Sequence, residues 1–123
     1  MTRSVVSGAA CVLLAACASP EEPFGTTTIR GQLRTAAGAP AIQVPVQLGV
    51  VPGASCGGAP AYQVRPSTVG GGVFVGEIAG FRERELQACV TVRAEATGGT
   101  ITAGFPATLR AGETLDLGVL TLR

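Results

Sequence analysis

The sequence predicts an all-β fold, a single seven-stranded antiparallel β-sandwich. Three observations carry this reading. Several segments alternate apolar and polar residues with a period of two, the signature of a half-buried strand. Glycine and proline punctuate these segments at short intervals. No stretch beyond the N-terminal region repeats apolar residues at helical spacing, so strands and turns must supply the core.

The first strand follows Gly25, where Ile29, Gly31 and Leu33 alternate with Arg30, Gln32 and Arg34. Gly38 and Pro40 mark the turn after it. Val44, Val46, Leu48 and Val50 then alternate with Gln43, Pro45, Gln47 and Gly49, the clearest strand in the chain. Pro45 has no N–H to give a ladder, which predicts an edge strand, or at least one unpaired on the Pro45 side. Residues 52–60 are a Gly/Ala/Pro loop around Cys56, and residues 61–64 form a short strand. Gly70-Gly71-Gly72 reads as a sharp turn into residues 73–78, where Phe74 and Ile78 share a face. Residues 81–85 read as a loop, with one exposed helical turn as the second choice. Their Arg/Glu alternation reads as solvated surface.

Leu86, Ala88, Val90, Val92 and Ala94 alternate with Gln87, Cys89, Thr91, Arg93 and Glu95. Val46 and Val90 therefore face the core, whereas Gln47, Thr91 and Cys89 face away. Thr97-Gly98-Gly99-Thr100 is a hairpin signal. Ile101, Ala103 and Phe105 form the returning strand, which Pro106 should limit. Residues 110–113 are a turn. In the last strand Leu115 and Leu117 have one parity and Leu120 and Leu122 the other. One extra residue near Gly118 would return all four to the core, which predicts a bulge there.

The N-terminus has a different character. A single Arg3 precedes an apolar run over residues 5–16, which ends in Leu14-Ala15-Ala16-Cys17. A charged start, an apolar segment and small residues at a cut make a secretory signal. The run is about 12 residues, against roughly 20 for a membrane span. Leu14-Ala15-Ala16-Cys17 resembles the lipobox of bacterial lipoproteins. That resemblance implies cleavage before Cys17 and acyl chains on it; at about 0.8 kcal/mol per buried methylene, several chains anchor almost permanently. Ala18 and Ser19 stand where an Asp favours inner-membrane retention in Gram-negative lipoproteins, which implies the outer membrane. The organisation expected is a signal peptide over residues 1–16, a lipidated cysteine and tether over 17–25, and the sandwich over 26–123. The prolines of the tether disfavour helix and sheet, and its extended length reaches about 25–30 Å.

Length and charge exclude several classes. The chain has 123 residues, enough for one modest core after the signal is removed. Lys and Arg total 9 and acidic residues 8, so loss of Arg3 leaves the mature side chains neutral. No basic patch recruits nucleic acid. With Cys11 discarded and Cys17 lipidated, Cys56 and Cys89 remain as an even pair in an exported domain, where a disulfide is the expected state. The competing reading is two free or metal-binding thiols. Zinc normally takes four ligands and the chain has no His, so no metal site or cofactor is expected.

Ile29-x-Gly31-x-Leu33, then Gly38-x-Pro40, Val44-x-Val46-x-Leu48, the glycine-rich residues before Phe74, and an Ala-Gly-Glu turn into Leu115-Asp116-Leu117-Gly118 come in a recognisable order. Over residues 27–122 this order resembles the carboxypeptidase regulatory-like domain, a transthyretin-like (prealbumin-like) seven-stranded sandwich. Val69-Gly70-Gly71-Gly72 replaces the acidic turn usual there, which leaves an immunoglobulin-like sandwich open. The resemblance implies an accessory role: such domains flank peptidases and transporters, or bind carbohydrate or protein, and do no chemistry.

Residue chemistry points the same way. Without His or Lys the common general bases and triads are missing, and the acidic residues Glu77, Glu83, Glu85, Glu95, Glu113 and Asp116 are scattered. Neither Lys-Ser/Thr nor a helix follows Gly70-Gly71-Gly72, so it is not a phosphate loop. The expectation is a lipid-anchored, non-catalytic cell-envelope module for protein–protein interaction, with strand addition as one route. The alternative is a carbohydrate-binding module at the cell surface. Such modules stack sugars on exposed aromatic rings, and Tyr62 is the one weak candidate for ligand binding outside the core.

Overall fold

The computed structural model describes residues 25–123. The signal peptide, Cys17 and the tether up to Phe24 lie outside the described residues. Seven strands follow one another: β1 (Gly25–Arg34), β2 (Val46–Pro52), β3 (Tyr62–Val64), β4 (Val73–Phe81), β5 (Glu85–Ala96), β6 (Gly99–Arg110) and β7 (Thr114–Thr121). They form two sheets, one in the order β4-β1-β7 and the other β3-β2-β5-β6. Gly25, expected in the tether, already belongs to β1 and sits opposite Phe81.

The alternation seen in the sequence becomes the core. Ile29 and Leu33 from β1, Phe74, Ile78 and Phe81 from β4, and Leu120 and Leu122 from the C-terminal segment fill one side. Val46, Leu48, Val50, Val90 and Val92 from β2 and β5 meet them from the other. Phe74, Phe81, Val46 and Val90 are fully buried. The predicted bulge in β7 is present. Arg30 is paired with Asp116 and Gln32 with Val119, so β7 carries one residue more than β1 over that interval. Gly118 adopts φ 79° there, the left-handed region that glycine enters without a Cβ clash, and its N–H donates to Asp116 Oδ1 at 2.8 Å.

Three expectations are corrected by pairing that no local pattern reveals. First, β2 is not an edge strand. It lies between β3 and β5; Pro45 is tolerated because the β5 ladder starts at Val46, while on the other side Pro45 bridges Ser67 and the hydrogen bonds are made by the flanking Val46 N–H and Val44 carbonyl. Second, Pro106 does not limit β6, which runs on to Arg110. Here the strand is the edge, so a missing N–H on its open side costs no ladder bond. Third, the sandwich is not wholly antiparallel: β1 and β7 pair in parallel. Their connection crosses to the other sheet and back twice, through β2 and β3 and then through β5 and β6, the long return that parallel neighbours require. The charged residues of 81–85 lie at the surface as expected, with Arg82, Arg84 and Glu85 exposed and Glu83 half-buried. No helix forms, Phe81 ends β4, Glu83 accepts a hydrogen bond from Tyr62, and Glu85 pairs with Arg110 across β5 and β6. That last pair is half exposed, so its contribution is small.

Candidate binding face and the disulfide-pinned loop

The outer face of the four-stranded sheet is built by residues of the polar parity. Pairing brings Gln47 opposite Arg93, and Arg93 opposite Thr102. Arg65 follows β3 and falls beside Gln47, because Leu48 is paired with Val64 and the N–H of Val46 donates to the carbonyl of Pro66. Arg65, Gln47, Arg93 and Thr102 thus form one cross-strand row. A second row, Gln63, Gly49, Thr91 and Gly104, lies beside it. Interstrand spacing places the Arg65 and Arg93 backbones about 10 Å apart, one on each side of Gln47.

The loop after β2 folds over the far end of this face. Cys56 and Cys89 form a disulfide with a Cα–Cα distance of 5.1 Å. Cys89 points away from the valine face, as its parity predicts, yet it is fully buried because the loop covers it. The sulfurs rest on Gly104. A Cβ there would stand 2.7 Å from Cys56 Sγ and 3.0 Å from Cys89 Sγ, so a bare backbone is what admits the bridge. Pro60 of the same loop covers Gly49, whose added Cβ would lie 3.6 Å from it. Thr91, expected to face solvent freely, is half-covered in consequence; its hydroxyl makes a long contact of 3.4 Å to the Gly49 carbonyl.

Three connected hollows follow β2 away from Pro60. The first, about 230 Å³, lies over Gly49 and Thr91 between Pro60 and Arg93. The second, about 310 Å³, shares Gln47 and Arg93 with it and adds Arg65 and Glu95. The third, about 400 Å³, shares Pro45 and Glu95 with the second and opens among residues 35–44 and 96–98. Together they make a trough with Gly49, Gln47 and Pro45 as its floor and Arg65 and Arg93 on its banks. Neither arginine, nor Gln47 or Gln63, has a side-chain hydrogen bond or ion pair among the described residues.

The trough opens toward the end of the sandwich where β1 finishes, opposite the end where Gly25 enters. At that open end Gln43 holds φ 58°, an uncommon conformation for a side-chain-bearing residue. It is fixed by buried Thr68, whose carbonyl accepts the Gln43 N–H and whose hydroxyl accepts the Val44 N–H, each at 2.9 Å.

Tyr62 does not lie in this trough. Its ring packs against Phe81 with centroids 5.3 Å apart. Its hydroxyl donates to Glu83 Oε2 at 2.7 Å and accepts the Arg82 N–H at 3.2 Å. Burial is the main cause that raises its pKa, with the Glu83 carboxylate adding to the rise. Sequence reasoning singled out Tyr62 and both cysteines but missed Arg65 and Arg93. The signal for that pair was partly there, since Arg93 and Gln47 both have outward parity; their pairing across strands was not. No three His, Cys, Asp or Glu side chains converge among the described residues in a way that would hold a metal ion.

No protein family model matches the chain, and no curated protein matches it. Solved structures resemble it distantly. The dioxygenase domain of a dioxygenase–carbohydrate-binding protein fusion from Streptomyces sp. SirexAA-E is 17% identical with a TM-score of 0.49, the match covering 83% of each chain. Chlorocatechol 1,2-dioxygenase from Pseudomonas putida is 12% identical with a TM-score of 0.49, over 79% of this chain and 60% of that one. A candidate carbohydrate-binding protein from Pseudomonas aeruginosa is 21% identical with a TM-score of 0.35, over 79% of this chain and 88% of that one. Similarity at this level carries no information on ligand or chemistry.

Proposed function

We propose that this protein is a non-catalytic binding module of the bacterial cell envelope, held at the outer membrane by lipid on Cys17. Its ligand lies on the outer face of the four-stranded sheet. The observation that carries this reading is the trough banked by two arginines that have no partner among the described residues and closed at one end by a crosslinked loop. A guanidinium is always charged, and its planar fork of donors matches the geometry of an anion. The open end of the trough faces away from the tether, so an anchored molecule presents it outward.

The carboxypeptidase regulatory-like reading fits the same role, because it assigns the domain to binding rather than catalysis. The sequence favoured protein–protein interaction with strand addition as one route, and the sheet limits where that can happen. β2 is paired on both sides, so only β3, β4, β6 and β7 have an open side.

Two experiments test the parts separately. Cys17→Ser should move the protein from the detergent phase to the aqueous phase in a phase-partition assay, since the thiol is the acyl acceptor. Equal partitioning of mutant and wild type would remove the anchor from the account. For the face, the unlipidated Cys17→Ser protein should bind isolated envelopes, and the Arg65→Gln/Arg93→Gln change in that background should weaken the binding at least about tenfold. The Arg30→Gln/Arg34→Gln variant in the same background, with the same charge change on the other sheet, should bind as the Cys17→Ser protein does. Equal loss in both variants would mean non-specific charge attraction.

A further inference from the structure

We infer that the ligand of this trough is an acidic polysaccharide, a chain of uronic acids whose carboxylates lie between Arg65 and Arg93. This rests on the reading of that face as a binding surface and goes on to name the ligand class. Three observations narrow it. First, the arginines have no partner among the described residues and stand on opposite sides of Gln47, so a chain lying on Gln47 meets a guanidinium on either side. A carboxylate there can accept two charge-assisted hydrogen bonds, which are the strong ones.

Second, beside the apolar Pro60 and the bare backbone of Gly49, the hollow next to Arg93 offers the amides and hydroxyls of Gln47, Gln63, Thr91 and Thr102. These are groups that meet a polyhydroxylated ligand. No aromatic ring is among them, so neutral sugar stacking is not offered; charge takes its place. Third, a peptide is poorly served here. Peptides that bind sheets add to an open edge through their backbone, but β2 and β5 have both edges occupied, and the open edge beside the trough, β3, is only 3 residues long. Those that bind by side chains use apolar or aromatic anchors in fitted pockets, whereas the middle of this trough is polar. Glu95, on β5 two residues beyond Arg93 on the same face, is the one acidic group on the trough. It weakens anion binding at the open end.

The test is calorimetric titration of full-length protein in detergent micelles at low salt with three probes: oligogalacturonate, its fully methyl-esterified form and oligoglutamate. Oligogalacturonate should bind, and the esterified form should bind at least about tenfold more weakly. Arg65→Gln and Arg93→Gln should each weaken binding by about tenfold, while Glu95→Gln tightens it. All three residues are exposed, so the variants should melt as wild type does. Binding that survives esterification, or that is unchanged in the Arg65→Gln/Arg93→Gln variant, overturns the inference. Oligoglutamate binding as tightly as oligogalacturonate overturns the sugar assignment and leaves anion binding at the face intact. Failure of every probe also overturns it, and the envelope-binding comparison above then decides separately whether the face binds at all.

Discussion

Val46→Asp and Val90→Asp should each unfold the domain. Both side chains are fully buried, on β2 and β5, and both belong to the contiguous core. A carboxylate placed there has no cationic or hydrogen-bonding partner in an apolar cluster, and leaving a charge uncompensated costs about 3–5 kcal/mol or more. That is comparable to the whole stability of a small domain, about 5–15 kcal/mol. Circular dichroism of either variant should show lost strand signal or a deeply lowered Tm. Gln47→Asp is the contrast, one residue from Val46 and on the opposite face. It sits between Arg65 and Arg93, so its charge is solvated and flanked by cations, and its Tm should stay near that of wild type. Thr91→Asp should fall between the two, because Pro60 partly covers that site. Equal damage from Val46→Asp and Gln47→Asp would refute the assignment of faces.

Reducing the Cys56–Cys89 bond should be the second large effect. The bond joins residues 33 apart in sequence. By the chain-entropy estimate a loop of that size stabilises by about 3–4 kcal/mol. For a domain of this size such a loss corresponds to a fall in Tm of more than about 10 °C. The loss should be local in structure. The loop is tied at its ends by Gly53 N–H to the Gln87 carbonyl and Ala61 N–H to the Val50 carbonyl, at 2.9 and 2.8 Å. Between those ties, Gly57 N–H to Ser55 Oγ at 3.3 Å is a bond within the loop itself. Without the disulfide, residues 54–60 have little to hold them on the sheet. Hydrogen exchange should rise in that loop and along the newly uncovered Thr91, while β1 and β4 keep their protection. A melt insensitive to reductant, or free thiols recovered from protein exported in its native host, would contradict this.

Much of the fold is written in local alternation. Val46 and Val90, the parity change between Leu117 and Leu120, and the outward parity of Cys89 are each legible from neighbours in the chain. What local pattern does not contain is which strand lies beside which. Pro45 suggested an edge because proline cannot donate to a ladder, yet the ladder starts just after it. Pro106 suggested an end for the complementary reason, yet it sits on the edge where its missing donor has no consequence. The candidate site depends on the same non-local information. Arg65, just after β3, and Arg93, on β5, lie on either side of β2, and only the order β3-β2-β5 brings them to one trough. Tyr62 drew attention as the lone tyrosine, but its register opposite Val50 turns it toward Phe81, and Glu83 and Arg82 hold its hydroxyl.

The measurement closest to the central claim is site-specific photocrosslinking in intact envelopes. A benzophenone side chain at Gln63, on the rim of the trough, is compared with one at Glu77, exposed on the outer face of the other sheet. The account predicts adducts from position 63 that disappear in the Arg65→Gln/Arg93→Gln background, and none above background from position 77. Adducts from position 77 alone, or adducts from position 63 that persist without the two arginines, would contradict it.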